Sequence, residues 1–132
     1  MHVVITESTY QSILSQALRD APIESCGYLL GTDKETATEN YPMTNVDHSD
    51  EHFCFDPKEQ FAVLKYARQK GLKIVGNWHS HPASPSRPSQ EDLRLAFDPS
   101  ILYFILSLAG EQPVLNAFRI EKGEVKEKFM LR

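Results

Sequence analysis

The chain has 132 residues, 41% hydrophobic and 24% charged, a balance that suits a soluble globular domain and excludes a disordered or fibrous chain. Its net charge of −4 and pI near 5.7 give no electrostatic ground for nucleic acid or an anionic membrane as a partner. No apolar run is long enough to cross a bilayer, and the opening MHVVITESTYQ lacks the basic region and long apolar core of a signal peptide. The expectation is therefore one domain over residues 1–132, resident in the cytoplasm.

In chain order, VVIT reads as a first strand. Glu7 to Leu18 then reads as a helix, because Tyr10, Ile13, Leu14, Ala17 and Leu18 recur at helical spacing. DAP breaks it. SCGYLLGT is expected as a buried strand and TATENYPMTNV as a second, more exposed one. HFCFD would be a short strand with Phe53 and Phe55 on one face. Asp56 is placed as an N-cap and Pro57 as the first residue of a second helix. That helix carries Phe61, Ala62, Leu64, Tyr66 and Ala67 and ends at Gly71. LKIVGNWHSH reads as a strand, QEDLRLAF as a short helix begun by Ser89, and SILYFILSLAG as a near-continuous apolar strand at the centre of its sheet. PVLNAFRIEKGEVKEKFML looks like a hairpin turning at Lys122-Gly123. The fold class is α/β: a mixed sheet of about six to eight strands with three helices.

Cys26 and Cys54 lie far apart and outside any CxxC pair, so both are expected as small buried apolar residues, not a disulfide or reactive thiols. His48 and His52 in VDHSDEHF lack an HExxH arrangement and a clear third ligand, so this segment reads as a solvated loop near a substrate groove.

The stretch GNWHSHPASPSRPSQED carries the chemistry. His79 and His81 sit at i and i+2, which on a strand turns both imidazoles to one face and sends Trp78 and Ser80 to the other. Two histidines alone do not make a catalytic zinc site, which takes three protein ligands. Asp92 is the third candidate, and it also has a purely structural reading, since SQED resembles the start of a capped helix with Ser89 as N-cap. Both can hold together. Between them, Pro82, Pro85 and Pro88 restrict the path of the chain and limit the entropy lost in holding Asp92 near the histidines. On spacing alone, Glu24 in PIESCGYLLG is better read as a solvent-facing residue at a helix-to-strand junction.

The pattern His-x-His, seven residues, Ser, two residues, Asp, with a glutamate upstream before CGYLLG, resembles the signature of the JAMM (MPN-plus) zinc metallopeptidases. A chance match at four fixed positions is on the order of one in thousands. The resemblance spans essentially the whole chain and is closest to the small stand-alone prokaryotic members. It implies a mostly antiparallel curved sheet flanked by about three helices, similar in outline to the cytidine deaminases. It implies one Zn²⁺ held by His79, His81 and Asp92, Glu24 as general base, and Ser89 as a hydrogen-bond donor to the developing oxyanion. It further implies a peptidase or isopeptidase acting on the C-terminal tail of a ubiquitin-like or sulfur-carrier protein, or on a peptide. The alternative within the same fold is a catalytically silent protein-binding module. A deaminase is set aside, because HSHP is not H-x-E and there is no CxxC.

Overall fold

The computed structural model describes residues 2–131; the first and last residues of the expected 1–132 domain lie outside them. Its elements are β1 (Val4–Ile5), α1 (Glu7–Asp20), β2 (Cys26–Gly31), β3 (Thr36–Ala37), β4 (Glu39–Met43), α2 (Pro57–Lys70), β5 (Lys73–His81), α3 (Gln90–Leu95), β6 (Leu102–Ser107), β7 (Val114–Glu121) and β8 (Glu124–Met130). Six strands form one sheet in the order β4-β2-β5-β6-β7-β8, and β1 and β3 form a small parallel pair beside it. Within the six-stranded sheet every pairing is antiparallel except β5 with β6. The mixed α/β architecture expected from the sequence is the one observed.

Strand alternation divides the core between the two faces of the sheet. On one face Leu29, Val75, Trp78, Phe104, Leu106, Leu115 and Ala117 meet Tyr10, Ile13 and Ala17 of α1. On the other, Leu30 packs on Val63 and Ala67 of α2, while Ile105, Phe118 and Ile120 pack near α3 on Ala96 and Leu93. The second face is thus covered by two separate helices, and the sheet surface between them is open to form a site.

Several local expectations need correction. The stretch expected as one strand from Thr36 to Val46 is two: β3 joins β1, and only β4 joins the main sheet. HFCFD is not a strand; a single bridge pairs Phe55 with Asn45. Leu18 is 59% exposed, because it lies about 100° around α1 from Ala17, beyond the buried stripe. On α2, Phe61 and Leu64 are 73% and 53% exposed, since the contact with the sheet is only as wide as Val63 and Ala67. The helix signals themselves hold: the Asp56 carboxylate accepts from Lys58 N at 2.9 Å, Pro57 is the first helical residue, and Gly71 closes α2 at φ 68°.

Candidate metal centre

β5 carries His79 and His81 onto the face shared by α2 and α3, and both are buried. Trp78 points the other way into the α1 core, where its Nε1 donates to Asn40 Oδ1 at 2.9 Å. Asp92, in the first turn of α3, completes the group. The three atoms His79 Nε2, His81 Nε2 and Asp92 Oδ2 are 3.1, 3.2 and 3.2 Å apart. Ligand atoms about 2.05 Å from a tetrahedral ion stand roughly 3.3 Å from one another, so the triangle has the size zinc needs. Two imidazole nitrogens and one carboxylate oxygen are also a borderline donor set suited to zinc, with a fourth position left for solvent or substrate. Among the described residues, these three are the one group of His, Cys, Asp or Glu that could hold a metal ion.

The spacer between the strand and α3 is fixed by more than its prolines. His81 Nδ1 donates to Pro85 O at 2.8 Å, which fixes the ring with Nε2 facing the triangle. Ser86 Oγ donates to Ile105 O at 2.6 Å, Ser107 Oγ to Ser84 O at 2.7 Å, and Asn116 Nδ2 to Ser86 O at 3.0 Å. Ser107 and Asn116 are buried polar residues among the apolar residues of β6 and β7. Sequence reading passed over both, although a polar residue flanked by apolar ones is itself a signal.

Glu24 is not solvent-facing but 3% exposed, just ahead of β2. Cys26 pairs with His79 across β2 and β5, and Ser80 N donates to Ser25 O, so one further step of the same register sets Glu24 across from His81. Ser25 is pinned by its N–H to Ser80 Oγ at 2.8 Å, and its Oγ accepts from Gln16 Nε2 at 2.9 Å. Glu24 Oε1 is buried with no hydrogen-bond partner in the structure. Burial pushes its carboxyl up to about 8, the Asp92 and Glu91 charges add to the rise, and His81 opposes it.

The triad titrates differently. Burial acts to raise Asp92, but hydrogen bonds from His79 and His81 outweigh it and hold the carboxyl well below the usual carboxylate range. Burial lowers His79. For His81 burial also pulls down, but the bonds to Asp92 and Pro85 O leave it raised overall.

A folded-state pKa above the unfolded one means that the native state holds an extra proton in between, so that stability is lost as pH rises. For Glu24 in metal-free protein the window runs from 4.5 to about 8. Chelator-treated Glu24→Gln should therefore lose less stability than wild type between those limits. Urea midpoints at both ends of the window check it; identical losses in the two proteins would contradict it.

Ser89 forms a capping box with Asp92. Its Oγ accepts from Asp92 N at 3.0 Å, and its own N–H donates to Asp92 Oδ2 at 2.9 Å, the same oxygen that faces both histidines. The cap thus aims the ligand, and the Ser89 hydroxyl hydrogen is left available. A cap tolerates glycine at a cost of a few tenths of a kcal/mol and alanine at about 1. If the hydroxyl also acts in the reaction, Ser89→Gly and Ser89→Ala should lose turnover equally, by about 10²–10³-fold. Turnover that tracks urea stability across the two variants would make Ser89 a cap alone.

A groove of about 740 Å³ runs along this face from His79 and Asp92, past Tyr28 and Asn77, to Lys73, with Leu64 on one bank and Leu95 and Phe97 on the other. Cys54 lines it and is exposed, contrary to its expected burial; Cys26 is buried as expected. The VDHSDEHF segment is a loop with His48 exposed, and His52 Nδ1 lies 3.1 Å from Asp47 Oδ2. Phe53, its last residue, and Phe55 line the groove. No helix among the described residues is long and apolar enough to cross a membrane.

Comparison with known proteins identifies the family. The family model described as "Prokaryotic homologs of the JAB domain" matches residues 6–121. The CysO-cysteine peptidase of Mycobacterium tuberculosis is 31% identical over 128 residues, covering 96% of this chain and 88% of the relative. The desampylase of Pyrococcus furiosus is 29% identical over 108 residues, covering 82% and 76%. The solution structure of protein DSY2949 from Desulfitobacterium hafniense superimposes with a TM-score of 0.88 at 42% identity, covering 98% of this chain and 91% of that one. The chain belongs to the prokaryotic JAB-domain family of the JAMM/MPN class. It is a hydrolase of the peptidase type.

Proposed function

We propose that the protein is a zinc-dependent isopeptidase that cleaves an amide bond at the C-terminal tail of a ubiquitin-like or sulfur-carrier protein. The observation that carries the reading is the convergence of His79 Nε2, His81 Nε2 and Asp92 Oδ2 within 3.2 Å, with the buried Glu24, whose Oε1 has no hydrogen-bond partner, across from His81. The names of the relatives, a CysO-cysteine peptidase and a desampylase, support the substrate class.

His79, His81 and Asp92 would hold the ion. When bound, zinc supplies Lewis acidity that makes water a nucleophile near neutral pH and draws charge from a carbonyl oxygen. Positive charge at the triangle favours the carboxylate form of Glu24. Glu24 takes the proton from the attacking water and delivers it to the departing amine nitrogen. The Ser89 hydroxyl donates to the oxygen on which negative charge develops. The groove receives an extended tail along the sheet face, and the stretch of β5 from Lys73 to His79 gives it room for about six residues, roughly 20 Å. Two free thiols suit a reducing compartment, and we place the reaction in the cytoplasm.

The chain from Asp92 to β6 is short and leaves little length there for an insertion that would read a particular ubiquitin linkage. Purified protein should therefore cleave carrier-protein adducts in preference to ubiquitin dimers. Faster cleavage of the dimers would overturn the substrate assignment.

A further inference from the structure

The two histidines of the triangle are held in different ways. His81 is oriented by a hydrogen bond from its second ring nitrogen to Pro85 O, the usual device for a metal-binding imidazole. His79 has no such bond: its Nδ1 is buried and has no hydrogen-bond partner in the structure. What lies against the His79 ring instead is Phe53, stacked at 4.5 Å between centroids and 25° between planes.

Phe53 is itself well fixed. It meets Phe55 edge-on at 5.2 Å, and Phe55 meets Tyr28 of β2 at 5.1 Å, so a run of rings backs the imidazole. Its backbone is clamped on both sides by the buried Asn45. Asn45 Nδ2 donates to His52 O at 3.1 Å, Oδ1 accepts from Cys54 N at 3.2 Å, and Val46 N donates to Cys54 O. The same Nδ2 donates to Glu24 O at 3.0 Å. One amide therefore ties the segment that carries Glu24 to the loop that covers His79.

We propose that Phe53, clamped by Asn45, is the positioning residue for His79, its ring stack taking the place of the hydrogen bond that Nδ1 lacks. This rests on the metal-centre reading above. An imidazole free to rotate about χ2 would spend part of its time with Nε2 turned from the triangle, and the loss would appear as weaker metal binding rather than as a fold defect.

The test compares Phe53→Leu, which fills the space without a ring, with Phe53→Tyr, which keeps the ring. Zinc affinity is measured by competition with a chromophoric chelator, beside the melting temperature of the metal-free proteins. The expected result is an affinity about tenfold weaker for Phe53→Leu at an unchanged metal-free melting temperature, with Phe53→Tyr within roughly threefold of wild type. A Phe53→Leu protein that binds zinc as tightly as wild type would overturn the proposal. So would a Phe53→Tyr protein as weak as Phe53→Leu, or an affinity loss matched by a fall in metal-free stability. A wild-type protein that takes up no zinc would overturn the metal-centre reading, and this proposal with it.

Discussion

Glu24→Gln should keep its zinc and lose turnover by about 10²–10⁴-fold, the range a positioned general base contributes. The substitution is nearly isosteric, and it leaves His79, His81 and Asp92 untouched. It also places a neutral amide where burial already disfavours charge, so the fold should not suffer. What it removes is the ability to accept a proton from water and release it to the amine. The split between retained metal and lost turnover is the informative part. Measuring zinc content and kcat on the same preparation checks it; a Glu24→Gln enzyme with near wild-type kcat would remove Glu24 from the mechanism.

Asp92→Ala and His79→Ala should each weaken zinc binding by more than about 100-fold, beyond the loss expected for residues that only orient ligands. The two variants differ in their side effects. Asp92 also closes the capping box with Ser89, so its removal frays the start of α3 and leaves two buried histidines without their carboxylate. His79→Ala empties space beneath Phe53 but leaves α3 capped. Equal loss of zinc with unequal loss of stability is the expected pattern, read by metal analysis and urea unfolding of the same samples. Full zinc content in either variant would exclude the triangle as the binding site.

The residues that meet at the centre were legible because their spacing follows strand and helix geometry. The i, i+2 histidines had to share a face of β5, and SQED had to start a helix. The fold class followed from strand periodicity and from the cap signals of α2. What the sequence hid was tertiary. Glu24 was placed by family pattern, since its burial depends on a register between β2 and β5 that no local signal encodes. Phe53 was expected on a strand but acts from a loop held by Asn45, three of whose four side-chain hydrogen bonds reach seven or more residues away. The prolines of the spacer drew attention, while Ser84, Ser86, Ser107 and Asn116, which bolt it to β6 and β7, did not. Exposure of Phe61, Leu64 and Phe97 was likewise invisible, because periodicity marks an apolar stripe without saying how much of it the sheet will cover.

The most direct test is cleavage of a carrier protein joined through its C-terminal glycine to an amine, followed with purified protein of known metal content. About one zinc per chain, loss of cleavage on chelation and recovery on adding zinc back are expected. Cleavage that continues undiminished in metal-free protein would contradict it.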